Sequence, residues 1–253
     1  MRSIVFCKRT IKEILRDPLS YIFCLGFPIV MLVIMTIVNS SIPKQAGLDI
    51  FKMNKLGPGM AFFGLSFIMI FTAIQVSTDR STSLITRLHA SPMTSVDFII
   101  GYTLPVFVIA VLQVVITYIA AFIIGAVSDA SLPVGYTFVS VLTLIPSMLL
   151  FIAFGLFFGT ILNEKSAPGV CSIVVTVTGM LGGVWMPVDT MGGNILDISR
   201  AMPFYHGVQA ARYTVAGELA SVGKPLVITL VWAFALYVVA VIIMDRKLKS
   251  DIR

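Results

Sequence analysis

The 253-residue chain is 58% hydrophobic and 12% charged, with a formal net charge of +6 and a mean hydropathy of +1.00. Six apolar segments and their short connections use almost all of it, which excludes a separate soluble domain of about 100 residues or more. A charge of +6 on a soluble protein points to nucleic acid; on so apolar a chain it marks a cytoplasmic membrane face, and no nucleic-acid partner is expected.

Residues 1–17 place Ile4, Cys7, Ile11, Ile14 and Leu15 at helical spacing, with Lys8, Arg9, Lys12 and Arg16 over the remaining surface. This pattern predicts an amphipathic helix lying in the inner headgroup layer. The plainer reading is a solvated basic leader that only sets topology. The apolar run after Pro18 is a full span rather than a short signal core, so no cleavable signal is expected.

Six windows lack Asp, Glu, Lys and Arg: 18–39, 56–78, 98–128, 130–163, 166–188 and 225–244. A helix needs roughly 20 apolar residues to cross a hydrocarbon core of ~30 Å, and each window has at least 20. The expected fold is an all-α membrane protein, one transmembrane domain over 1–253 with six transmembrane helices. With the N-terminus inside, 12 Lys and Arg fall on the inner side and 6 on the outer. The positive-inside bias therefore puts both termini in the cytoplasm of a multi-pass plasma-membrane protein.

Between the first two spans lies a short polar loop, 40–55. The inner segment after the second span holds Leu84, Ile85 and Leu88 beside Arg80 and Arg87, and Pro92 ends that turn. Ser91 or Thr94 suits the cap of the next helix. Pro105 and Pro146 predict kinks in the third and fourth spans. Asn163, Glu164 and Lys165 make an inner turn, and Trp185 suits a membrane interface.

Residues 189–224 carry too many polar groups to span. They read as a short re-entrant hairpin of two amphipathic helices on the outer side, before the last span. Pro203 fits the first position of a helix. Phe204, Val208 and Ala211 then share one face, while His206, Gln209 and Tyr213 fall toward another. Arg212 is costly at membrane depth, so snorkelling or a pair with Asp197 or Glu218 is expected.

No phosphate loop, metal-ligand cluster or nucleophile elbow is present, which argues against an enzyme. His89 and His206 fall on opposite sides. Cys7, Cys24 and Cys171 offer no disulfide framework. Gln113, with Thr117 one turn on, is the notable polar group inside a span; an interhelical hydrogen bond and a substrate contact are the two readings. Gly169, Ser172, Thr176, Gly179, Gly182 and Gly183 make the fifth span one of small residues, which lets helices approach closely.

Three stretches carry a resemblance, in order along the chain. They are the basic leader, Thr86-Arg87-Leu88-His89-Ala90-Ser91-Pro92 after the second span, and the stretch after the fifth span, which holds two motifs. Those two are Gly182-Gly183-Val184-Trp185-Met186-Pro187 and Met202-Pro203-Phe204-Tyr205-His206-Gly207-Val208-Gln209-Ala210-Ala211-Arg212. Over essentially its whole length the chain resembles the membrane subunits, or permeases, of ABC-2 type exporters. Family members often carry Glu where this chain has Asp79.

The resemblance implies a permease without its own nucleotide site, paired with a second permease chain as a homodimer or heterodimer. It would be driven by a cytoplasmic ABC ATPase subunit that holds ATP and magnesium; no cofactor is expected in this chain. Residues 1–17 would be the connecting helix. The segment 79–92, with Asp79, Arg80, Arg87, Leu88, His89 and Pro92, would couple to the ATPase. Gln113, Gly179, Gly182 and Gly183 would line the substrate path or dimer seam. Phe204, Tyr205, His206 and Arg212 would shape an outer gate. The cargo would be amphipathic or hydrophobic: a drug, antibiotic, peptide, lipid or lipid-linked glycan. A secondary transporter or channel, or a membrane scaffold, are the alternatives; intramembrane charges or inverted repeats would mark the transporter.

Overall fold

The computed structural model describes residues 2–16, 18–41, 49–81, 94–127 and 132–250. Among these residues the chain is helical, without strands. Helix α1 (Arg2–Arg16) precedes α2 (Pro18–Ser41), and a 3-10 turn (Asp49–Phe51) leads into α3 (Met53–Ser81). Then come α4 (Ser95–Val127), α5 (Val134–Thr143), α6 (Ile145–Ile161) and α7 (Ala167–Leu181). The chain closes with α8 (Val188–Met191), α9 (Gly193–Ala201), α10 (Pro203–Ala216) and α11 (Leu219–Ser250).

Among the described residues five stretches are long and apolar enough to cross a bilayer: Cys24–Ser41, Met53–Ser81, Ser95–Val127, Val134–Ile161 and Leu219–Lys247. The fourth is interrupted at Leu144, with Pro146 in the first turn of α6 where its missing N–H costs nothing. Pro105, by contrast, lies inside an unbroken α4. The fifth window, 166–188, differs from expectation. It forms only the 15-residue α7, about 22 Å at the helical rise and short of a full span. The cause is local. Gly183 adopts φ +76°, and the backbone N–H groups of Val184 and Trp185 turn back to the Gly179 carbonyl. The hairpin also differs: it contains three helices, and α11 starts at Leu219 and takes Lys224 into the helix. Gly217, at φ +82°, ends α10 in the left-handed region, with Glu218 N–H bonded to the Tyr213 carbonyl.

Helix α3 is the centre of the bundle, buried along most of its length, with α2, α4, α6, α7 and α10 around it. Most of the apolar surface of α2 and α11 is exposed, as lipid-facing helices require. Gly155 and Gly159 sit one turn apart on α6 and bring its backbone onto α3. A Cβ at Gly155 would stand 2.7 Å from the Met69 carbonyl oxygen, and one at Gly159 2.8 Å from that of Ala73. Gly207 seats α10 similarly: a Cβ there would lie 2.1 Å from Phe62 Cε2 and 2.8 Å from Ser147 Oγ. Phe204 stacks on Phe151 across the same contact. Phe204, Val208 and Ala211 do share the buried face of α10, but Tyr205 and Gln209 are buried too. This is a core helix, not a surface amphipathic one.

The leader is helical, and its inner stripe is rotated from the expected one. Phe6, Thr10 and Ile14 are buried, whereas Ile11 is 40% exposed. The reason is a protein partner: the Phe6 ring meets Phe98 and Tyr102 of α4 edge-on, at 5.4 and 4.9 Å between centroids.

Candidate functional site

Asp79 and Arg80 end α3 at the side of the bundle where Arg9 of α1 and Lys247 of α11 lie. Asp79 is buried and accepts from the Tyr102 hydroxyl at 2.7 Å and from Arg9 Nη2 at 3.5 Å. Arg9 also contacts Glu13 one turn on, and its guanidinium lies 5.6 Å from the Phe6 ring centroid. Three helices, α1, α3 and α4, thus meet at one carboxylate. Arg80 turns the other way. It donates to the carbonyls of Gly159 (3.1 Å) and Leu162 (3.3 Å) and to that of Thr160. These are the free carbonyls at the C-terminal end of α6, where positive charge is favoured. Lys247 donates to the neighbouring Ile161 carbonyl at 3.2 Å.

Arg87, Leu88, His89 and Pro92 lie outside the described residues, as do Leu84, Ile85 and Ser91. The described chain resumes at Thr94, which caps α4. The Thr94 N–H donates to Asp97 Oδ2 at 3.1 Å, and the Asp97 N–H returns to Thr94 Oγ1 at 3.3 Å.

Gln113 is fully buried. Its Nε2 donates to Thr117 Oγ1 at 3.1 Å, a bond within α4 rather than between helices. The amide fits over Gly64 of α3, where a Cβ would stand 2.0 Å from Nε2. Gly179 makes room inside the protomer: its missing Cβ would fall 2.3 Å from Trp185 Nε1 and 3.2 Å from Phe63. Trp185 lies edge-on to Phe63, with 5.0 Å between centroids. Gly182 and Gly183 are buried in the turn after α7. The exposed face of α7 is instead Gly169, Ser172, Ile173, Thr176 and Met180.

At the end of the bundle opposite Asp79 is a cavity of about 400 Å³. Asn54 and Lys55 of α3, residues 186–190, Gln209, Arg212 and Glu218 line it. Asp189 accepts from the Tyr205 hydroxyl, and from Gln209 Nε2 at 2.9 Å. Arg212 pairs with neither Asp197 nor Glu218, which are both exposed. Its Nε donates to the Lys55 carbonyl at 3.2 Å, and its Nη2 is enclosed without an acceptor among the described residues. Burial pulls the guanidinium pKa down to about 10, and the nearby Asp189 carboxylate opposes that fall. His206 is half-buried, with Nε2 2.8 Å from the Arg200 carbonyl. Phe204 faces the core and not the cavity. No cluster of His, Cys, Asp and Glu suited to a metal occurs among the described residues.

Sequence comparison adds a finding that geometry alone does not supply. Residues 3–216 match the family described as ABC-2 type transporter. The chain is also similar to "Putative transport permease YvfS" of Bacillus subtilis (strain 168), with 23% identity over 244 residues, covering 96% of this chain and 93% of that protein.

Proposed function

Because this chain belongs to the ABC-2 type transporter family, we propose that it is the membrane subunit of an ATP-driven exporter. Two permeases, identical or not, pair in the plasma membrane with both termini cytoplasmic. Residues 166–188 serve as the fifth of six crossings, α7 together with the turn that follows it. A separate cytoplasmic ATPase binds ATP and magnesium and seats the segment 79–92. The cargo is amphipathic or hydrophobic and leaves the cytoplasm by alternating access.

The observation that supports this reading best is the junction at the end of α3. Asp79 gathers α1 and α4 there, and Arg80 gathers α6. A displacement delivered to the segment just beyond Ser81 would reach four helices at once. Coupling of this kind requires contacts that differ between two states, and a node shared by four helices is a place to make them.

The test is Leu88→Asp in the full chain, purified with an affinity tag from its native membranes. The expected result is normal membrane insertion with loss of a co-purifying ATPase and loss of transport in vesicles. Unchanged ATPase recovery and unchanged transport would overturn the reading.

A further inference from the structure

We propose that the cavity between α3, α10 and residues 186–190 is a binding site for a singly charged phosphodiester, anchored by Arg212. The anchor is the guanidinium. It has five N–H donors, and among the described residues only Nε finds an acceptor, the Lys55 carbonyl. Arg212 lines the cavity; its Nη2 is enclosed, so the donors left for a ligand are those of Nη1. A guanidinium so placed can donate to a phosphate or carboxylate oxygen.

The nearest carboxylate does not take those donors. Asp189 is already engaged by Tyr205 and Gln209. These two bonds hold it close enough to favour the charge on Arg212, yet no ion pair forms between them. The Lys55 side chain is exposed beside the cavity and supplies a second positive charge. The volume, about 400 Å³, exceeds what a lone carboxylate needs. Asp189 and Glu218 on the same wall disfavour a polyphosphate and suit a monoanion that also carries hydroxyl groups. A phosphodiester meets these demands, either as a lipid headgroup entering from the neighbouring leaflet or within a water-soluble solute, for which inorganic phosphate is the simple probe. The site stands whether or not the chain exports anything, so its failure and that of the export reading are separate results.

The experiment uses the full chain in phosphate-free detergent, with short-chain phosphatidylglycerol and inorganic phosphate as the two probes, read by calorimetry and native mass spectrometry. Saturable lipid binding that millimolar phosphate does not displace assigns a headgroup. Binding of phosphate without the lipid assigns a solute to the same site. In either case Arg212→Gln should weaken binding by about tenfold or more, and Arg212→Lys by less. Ala216→Phe, at an exposed position lining the cavity, should block entry without touching the anchor and guards against misfolding of the Arg212 variants. Binding of neither probe, or wild-type binding in both Arg212→Gln and Ala216→Phe, would overturn the proposal.

Discussion

Tyr102 donates its hydroxyl to Asp79 at 2.7 Å in a contact where both residues are buried. The bond joins two helices just before the segment 82–93. It also satisfies part of a carboxylate that has little access to water, and Arg9 of the leader completes the arrangement at 3.5 Å.

Tyr102→Phe keeps the ring that packs on Phe6 and removes only the donor. A buried acceptor deprived of its partner costs about 1–3 kcal/mol. The variant should melt at a lower temperature in detergent than the native chain. A melting temperature equal to the native value would mean that the other contacts of Asp79, that with Arg9 among them, satisfy it.

Arg80→Ala should free the carbonyls of Gly159 and Leu162 at the end of α6. Hydrogen exchange by mass spectrometry should then show faster exchange over 155–163, while residues 60–70 of α3 stay protected. Arg80→Lys retains the charge near the helix C-terminus and should recover part of the protection. Equal exchange in the alanine variant and the native protein would show that Lys247 is a sufficient cap.

Gly179→Ala should dislodge Trp185, because a methyl group there falls 2.3 Å from its Nε1. Overpacking of this kind costs typically about 1–3 kcal/mol. In a Trp232→Phe background, the Trp185 emission should shift to the red as the ring leaves Phe63. An unshifted spectrum would mean that the turn at 182–187 moves as a whole to make room.

Cysteines at 172, 173 or 176 lie on the exposed face of α7. In a chain with Cys7, Cys24 and Cys171 replaced, oxidation should cross-link these positions between two copies and give a dimer on gels. Cysteine at the buried position 178 should not. Monomer at all four positions would overturn the proposed pairing of two copies along α7.

The apolar spans are legible in sequence because a charge at bilayer depth is so costly that its absence over 20 residues is diagnostic. The end of α7 is not, because the windows count charge and cannot see that Gly183 turns the backbone toward Gly179. The Gly155–Gly159 spacing is visible in the chain, but it does not say which helix it meets. The leader is readable as an amphipathic helix. Its rotation is not, since Phe6 rather than Ile11 turns inward only in the presence of Phe98 and Tyr102. Arg9 and Asp79 both fall on the inner side by charge counting, yet their contact depends on how α1 lies along α4. Arg212 suggests the nearby acids Asp197 and Glu218. The structure gives it a backbone carbonyl at Lys55, which no sequence pattern encodes.

The close seating of Gly207 on Phe62 has a mechanical consequence. With no room for a side chain between α10 and α3, neither helix can roll or slide on the other without breaking the contact. Gly155 and Gly159 bind α6 to α3 in the same way. These three helices therefore form one rigid arm whose longest member, α3, has 29 residues and a length of about 43 Å. Tilting an arm of that length by about 10° carries its far end about 7 Å sideways. A small push at Asp79 and Arg80 would thus be enlarged by leverage at the cavity beside Arg212.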